Sequence, residues 1–172
     1  REATRHRISC VELAKSPPGI ETDAHVAEVI PNIVEAVDSA SADAFVLACF
    51  SDPGIAAVRR QTRRPVIGIA EAAYLAALGL GQRFGIVSLG QSSIDRHLRY
   101  LRHLGFDTRL AGDRSINMTV VELMAGDVVE TIVRTGKLLR EKDGADVIIL
   151  GCAGLGGYRH AMEDRLGIPV ID

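Results

Sequence analysis

Apolar and polar positions follow two different periods along the chain. Short runs that are mostly apolar occur at Ile8–Leu13, Ala44–Ala48, Pro65–Ile69, Arg83–Leu89, Phe106–Leu110, Val147–Leu150 and Pro169–Asp172. Each has the length of a strand, and a run that is apolar throughout suits a strand covered by helices on both faces. Between these runs the apolar residues recur at helical spacing. From Asp23 to about Ala40 they fall at Val26, Val29, Ile30, Ile33, Val34 and Val37, with Thr22 or Asp23 as the N-cap. Further helices are predicted over Ile55–Gln61, Glu71–Leu80, from Ser93 to about Leu104, over Val120–Lys142 and over Tyr158–Leu166. Pro17, Pro18 and Gly19 demand a loop. Strands alternating with helices predict parallel sheets in an α/β fold.

Two stretches repeat one pattern. Val147–Leu150 ends in Gly151 and Cys152, then Ala153-Gly154-Leu155-Gly156-Gly157, then a helix. Ala44–Ala48 ends in Cys49, then Phe50-Ser51-Asp52-Pro53-Gly54, then a helix. From Cys49 the chain takes sixteen residues to Pro65 and PVIGI, and from Cys152 it takes seventeen to Pro169 and PVID. This is an internal repeat with a thiol at the equivalent strand end of each copy. The carboxyl edge of a parallel sheet is where open α/β folds bind ligands. The second half has two strands before its cysteine strand and the first half has one, Ile8–Leu13. Symmetry therefore predicts a further strand and helix upstream of Arg1, and a helix after Asp172. The expected lobes are 1–79 and 80–172, each with a parallel sheet of four strands when complete, and the active site lies in the cleft between them.

Two thiols facing each other across a cleft suit racemisation. One removes a proton from one face of a carbon, and the other delivers a proton to the opposite face. Helix N-termini beyond the cysteines should lower their pKa, so that a thiolate and a thiol coexist near neutral pH. Cys10, inside ISCVEL, reads as a buried structural thiol. Iodoacetamide is then expected to label Cys49 and Cys152 before Cys10. No His or acidic cluster stands beside the two cysteines in sequence to complete a zinc set, and the glycine loop lacks a P-loop pattern. No cofactor is expected.

Composition narrows the partners. With 47% hydrophobic and 24% charged residues and a net charge of −2, the 172-residue chain has the balance of a globular domain and no basic surplus for nucleic acid. No apolar run reaches the ~20 residues of a membrane span. Three cysteines, two of them at strand ends, do not form a disulfide framework. The expectation is a cytoplasmic homo-oligomer acting on a small molecule.

The motifs ACFSDPG at 48–54, PVIGIAEAA at 65–73, RFGIVSL at 83–89 and VIILGCAGLGG at 147–157 with GIPVID resemble the Asp/Glu/hydantoin racemase superfamily, closest to its hydantoin racemase branch. The resemblance implies two lobes and a cofactor-independent mechanism with Cys49 and Cys152 as the catalytic pair. It implies a 5-substituted hydantoin as substrate. Allantoin or amino-acid racemase, maleate isomerase-like and arylmalonate decarboxylase-like activities stay open on the same scaffold, as does a non-catalytic small-molecule-binding protein. A decarboxylase needs only one of the two thiols. Members of the family usually begin with a strand ending in an Asn-Pro-Asn-Thr-like turn that lines the substrate site, and this chain has no such segment.

Around the cysteines, Phe50, Ser51, Glu71, Ser88, Ser92, Ser93, Ala153 and Gly154 are the expected substrate contacts. The serine hydroxyls and loop N–H groups are candidates for holding a carbonyl oxygen as it gains charge. Helix capping explains Asp52 better than chemistry does. His97 and His103 read as solvated helix positions and His160 as a surface or packing position, and no strand-end loop holds an obvious cation.

Overall fold

The computed structural model describes residues 4–172 of the chain. It holds two sheets, and every strand pair in them is parallel. The smaller sheet pairs β1 (Phe45–Leu47) with β2 (Val66–Gly68), and the larger runs in the order β4 (Leu110–Ser115), β3 (Phe84–Ser88), β5 (Val147–Leu150), β6 (Val170–Ile171). The helices are α1 (Asp23–Ser39), α2 (Ile55–Gln61), α3 (Ile69–Leu80), α4 (Gln91–Leu104), α5 (Val120–Ala125), α6 (Val129–Glu141) and α7 (Arg159–Leu166). The repeat is visible in the topology. From β1 through α2 to β2, and from β5 through α7 to β6, a strand runs into a cysteine, a helix and the strand's parallel neighbour.

Every residue of β3 and β5 is buried, which is why their sequences are apolar without alternation. One face of the larger sheet packs Val87, Ile148 and Leu150 against Ile132 and Leu139 of α6 and Met162 and Leu166 of α7. The other face packs Phe84, Ile86, Val147 and Ile149 against Ala70, Ala73, Tyr74 and Ala77 of α3 and Leu101 of α4. Helix α3 thus follows directly from the smaller sheet yet lies on the larger one, where its alanines permit close approach. A third cluster joins Val29, Ile33 and Val37 of α1 and Val58 of α2 to Leu47 and Val66. Burial of each large aliphatic side chain contributes roughly 1.5–3 kcal/mol.

Three expected secondary-structure elements differ in the structure. Residues 8–13 form no strand, and Ile8 and Val11 are each 72% exposed. An apolar run needs a ladder partner to become a strand, and neither sheet includes this one. The expected strand at Phe106–Leu110 lies further along. Gly105, at φ 76°, ends α4, a turn of 3₁₀ helix spans Asp107–Arg109, and pairing with β3 starts at Leu110. Its polar residues hid it, because Asp113 and Arg114 find partners in His97 and Asp143. The long helix over Val120–Lys142 breaks between α5 and α6, where Gly126 is extended and the Asp127 side chain accepts from the Val129 N–H at 3.0 Å.

Asp52 is a cap, but of a different helix from the one expected. Gly54, at φ 72°, holds the N-cap position of α2. The Asp52 carboxylate instead accepts from the Ala70 and Glu71 N–H groups at 3.0 and 2.9 Å, at the start of α3. Burial pushes its pKa up, against the pull of those two amides. A Cβ on Gly68 would lie 2.2 Å from the carboxyl group, so this glycine is required by the cap. We expect Asp52→Ala and Gly68→Ala each to lower stability by about 1–2 kcal/mol, the usual loss for a removed cap. The double variant should lose less than the sum, since both remove one contact. Urea denaturation of the three proteins measures this.

Candidate active site

Cys49 follows β1 and Cys152 follows β5, so the parallel topology delivers both thiols to the carboxyl ends of their strands. Both are free and partly exposed, and both line one cavity of about 580 Å³. The loop carrying Cys49 is tied down by the Asp52 cap. The loop carrying Cys152 is tied down by Leu155, which is fully buried. Gly151 allows the approach before Cys152, since a Cβ there would lie 2.8 Å from both Ile86 Cγ2 and the Val87 carbonyl oxygen.

The electrostatics reverse the expected direction for the thiols. Burial is the largest influence on each and pushes both pKa values up. Neither cysteine leads straight into an α-helix. A turn separates Cys49 from α2, and Cys152 is followed by 3₁₀ helix over Ala153–Tyr158. The Ser51 amide near Cys49 and the Gly154 amide near Cys152 pull the other way, and each offsets burial only in part. Cys152 and Asp52 further oppose ionisation of Cys49 and Arg96 favours it, while Glu21 opposes ionisation of Cys152.

Of the expected contacts, Phe50, Ser51, Ser92, Ser93, Ala153 and Gly154 line the cavity. Glu71 and Ser88 do not. Glu71 is held on α3 by Arg59 at 2.7 Å and by the Tyr100 hydroxyl at 2.6 Å. Ser88 is completely buried below the cleft, where its hydroxyl donates to Asp113 at 2.5 Å. Both sit after or at strand ends, but their side chains are consumed by local partners. The Ser92 hydroxyl donates to the Glu21 carbonyl at 2.5 Å, and the Ser93 hydroxyl accepts from Arg96 at 3.1 Å.

The sequence reading missed one wall of the cavity and its cation. The loop Pro17–Thr22 lines the same cavity as the two thiols. Arg96 of α4, 8% exposed, donates to the carbonyls of Glu21 and Ile20 at 3.0 and 3.3 Å. The Glu21 carboxylate accepts from the Val120 N–H at 2.8 Å, at the start of α5. Ser92 and Arg96 lie four residues apart on one face of α4, and both bond the Glu21 carbonyl. His97, read as a surface position, is buried and lies against the same cavity. Among the described residues no three His, Cys, Asp or Glu side chains group as a metal set, and no helix is long and apolar enough to cross a membrane.

Comparison with known proteins gives consistent matches. The profile of the family described as Asp/Glu/Hydantoin racemase matches residues 1–172. The hydantoin racemase of Paenarthrobacter aurescens is 37% identical, over 99% of this chain and 75% of that protein. That of Pseudomonas sp. strain NS671 is 34% identical, over 96% of this chain and 69% of its own. Among solved structures, allantoin racemase from Pseudomonas fluorescens superposes with a TM-score of 0.92 at 27% identity, covering 96% of this chain and 72% of that one. Allantoin racemase from Klebsiella pneumoniae gives 0.86 at 32%, covering 92% and 67%.

Cys10, expected to be buried, is exposed, and burial pushes the pKa of both cleft thiols up, so we expect the reverse of the labelling order read from sequence. The reactive species is the thiolate. A raised pKa leaves less of it at neutral pH, and the fraction grows as pH rises. We expect iodoacetamide at pH 7.5 to modify Cys10 first, with Cys49 and Cys152 slower and accelerating more steeply toward pH 9. Peptide mapping after timed labelling checks this, and faster labelling of the cleft thiols at pH 7.5 would contradict it.

Proposed function

The chain belongs to the Asp/Glu/hydantoin racemase family and is an isomerase of the racemase type, and from that premise we propose that it racemises a 5-substituted hydantoin with Cys49 and Cys152 as acid and base. The observation that carries this reading is the pair of partly buried thiols at equivalent strand ends on the wall of one cavity. One sulfur, as thiolate, takes the proton from the carbon beside the ring carbonyl. The C–H electron pair moves into the carbonyl system and forms an enolate. The other sulfur, as thiol, gives its proton to the opposite face of that carbon. After one turnover the two sulfurs have exchanged protonation states, and exchange with water resets them.

The upward pKa shifts fit this chemistry. The carbon next to a carbonyl is a weak acid, and a thiolate of higher pKa is a stronger base toward it. The cost is a smaller ionised fraction at neutral pH. Arg96, the buried cation of the wall, favours negative charge on Cys49 and on an enolate alike. The two named hydantoin racemases support the substrate class. The allantoin racemase structures support a second reading, in which the hydantoin carries a ureido group.

In D₂O the active protein should place deuterium on the chiral carbon of the substrate as optical rotation decays. Cys49→Ser and Cys152→Ser should each lower kcat/KM by at least about 10²-fold, the scale of one general acid or base. The wild-type kcat/KM should rise from pH 7 toward pH 9 as the thiolate fraction grows. Full activity in both variants would exclude the two-thiol mechanism, and unlabelled racemic product would exclude proton exchange through the sulfurs.

A further inference from the structure

Beneath the cleft lies a buried polar cluster that the two-thiol chemistry does not use. His97 of α4, Ser88 at the end of β3 and Asp113 of β4 are 3%, 0% and 2% exposed at their side chains. His97 Nδ1 lies 2.8 Å from Asp113 Oδ2 and 3.2 Å from Ser88 Oγ. The Ser88 hydroxyl donates to the other carboxylate oxygen, Oδ1, at 2.5 Å. A carboxylate only accepts, so Nδ1 carries a proton and donates it to Asp113. In the neutral ring the lone pair is then on Nε2, and the second nitrogen's role is fixed by the bond the first one makes. Nε2 has no partner among the described residues.

The ring stands between the two thiol loops. Phe50, next to Cys49, meets it edge to face at a centroid distance of 5.1 Å. On the other side, its Cε1 lies 3.4 Å from where a Cβ on Gly151, the residue before Cys152, would sit. The ring lines the cavity that holds both sulfurs and also an adjoining one of about 400 Å³. Nε2 is not one of the buried polar atoms left without a partner, so it is accessible, and the carboxylate leaves it free to accept from a ligand donor.

We propose that His97 Nε2 accepts a hydrogen bond from the substrate N–H beside the reacting carbon, and so selects a ring with nitrogen there over one with oxygen. The inference rests on the hydantoin reading above and deepens it. His97 touches the substrate, and Asp113 and Ser88 are positioning residues that fix its tautomer. One ring N–H adjoins the reacting carbon of a hydantoin, whereas an oxygen at that place would turn its lone pair against that of Nε2.

The test compares a 5-substituted hydantoin with the matching 5-substituted oxazolidine-2,4-dione, in which oxygen replaces that N–H. Their intrinsic reactivities differ, so the reading is the ratio of kcat/KM between the two compounds, compared across proteins. His97→Asn keeps a donor near Asp113 and removes Nε2, while His97→Gln restores an acceptor near the Nε2 position. We expect the preference for the hydantoin to fall about tenfold or more in His97→Asn, to return in part in His97→Gln, and to fall in Asp113→Asn with KM changing more than kcat. An unchanged ratio in His97→Asn that melts like the wild type overturns the proposal and leaves His97 as a packing residue. Should that variant fail to fold, the ¹⁵N shift of wild-type His97 Nε2 decides. It must move with bound hydantoin and not with the oxazolidinedione, and equal movement or none overturns the proposal. If the wild type binds the hydantoin in calorimetry but does not racemise it, the functional reading fails alone, and the ratio of binding constants takes the place of kcat/KM. Binding of neither compound overturns the inference as well.

Discussion

The site depends on one buried contact, the Asp52 carboxylate against the first amides of α3. Cys49 follows a strand of the smaller sheet and Cys152 a strand of the larger. What relates them is α3, which leaves the smaller sheet at Gly68 and packs its alanine face and Tyr74 on β3 and β5. Asp52 joins the loop after Cys49 to the start of that helix. The position of one sulfur relative to the other is thus carried by a cap, a helix and a sheet, with little freedom along the route. The glycine at position 68 is forced by the same contact, because no side chain fits where the carboxylate sits. The positive φ of Asp52, 41°, is a strain that its two amide bonds hold in place.

Across the cleft the same logic is repeated in a looser form. The loop Pro17–Thr22 has no regular structure of its own, and it is held by Arg96, Ser92 and the amide of Val120. Two of these three bonds go to the Glu21 carbonyl and the third to the Glu21 carboxylate, so partners on α4 and α5 fix the loop at that residue. Gly19 lies so close to α5 that a Cβ would meet Val120 at 2.7 Å. The loop lines the same cavity as the thiols, whose burial raises their pKa values.

Much of the fold was legible because β3 and β5 are buried on both faces and therefore apolar without interruption. The thiol pair was legible because the repeat placed a cysteine after two such runs. What the sequence concealed was pairing between polar groups. Asp113 and Arg114 made β4 look like a loop, and both are satisfied by partners distant in sequence. His97 looked solvated because its helix carries many charges, and only the fold brings Asp113 beside it. Arg96 was hidden for the same reason, since its partners are carbonyls in a loop 75 residues away. Glu71 and Ser88 failed in the opposite sense. Their positions in sequence suited the cleft, but Arg59, Tyr100 and Asp113 had already claimed their polar atoms. The Ile8–Leu13 run shows the remaining weakness, because hydrophobicity alone cannot supply a neighbouring strand.

The two sulfurs occupy equivalent places in the repeat but not equivalent fields. Cys49 is faced by the cation Arg96 and Cys152 by the carboxylate of Glu21. Arg96 and Glu21 also meet each other through the loop, where the guanidinium holds the Glu21 carbonyl. A racemase must work in both directions across one carbon, so on the two-thiol reading each sulfur has to serve as base in turn. Equal fields are not required for that. The equilibrium between two enantiomers is fixed by the substrate, and the protein sets only how the barrier is shared between the two directions. An uneven field shifts which sulfur rests as thiol and which direction turns over faster at saturation, while the ratio of kcat/KM in the two directions stays bound to unity. The asymmetry built by Arg96 and Glu21 is therefore compatible with racemisation, and it enters only through the separate kcat and KM of each enantiomer.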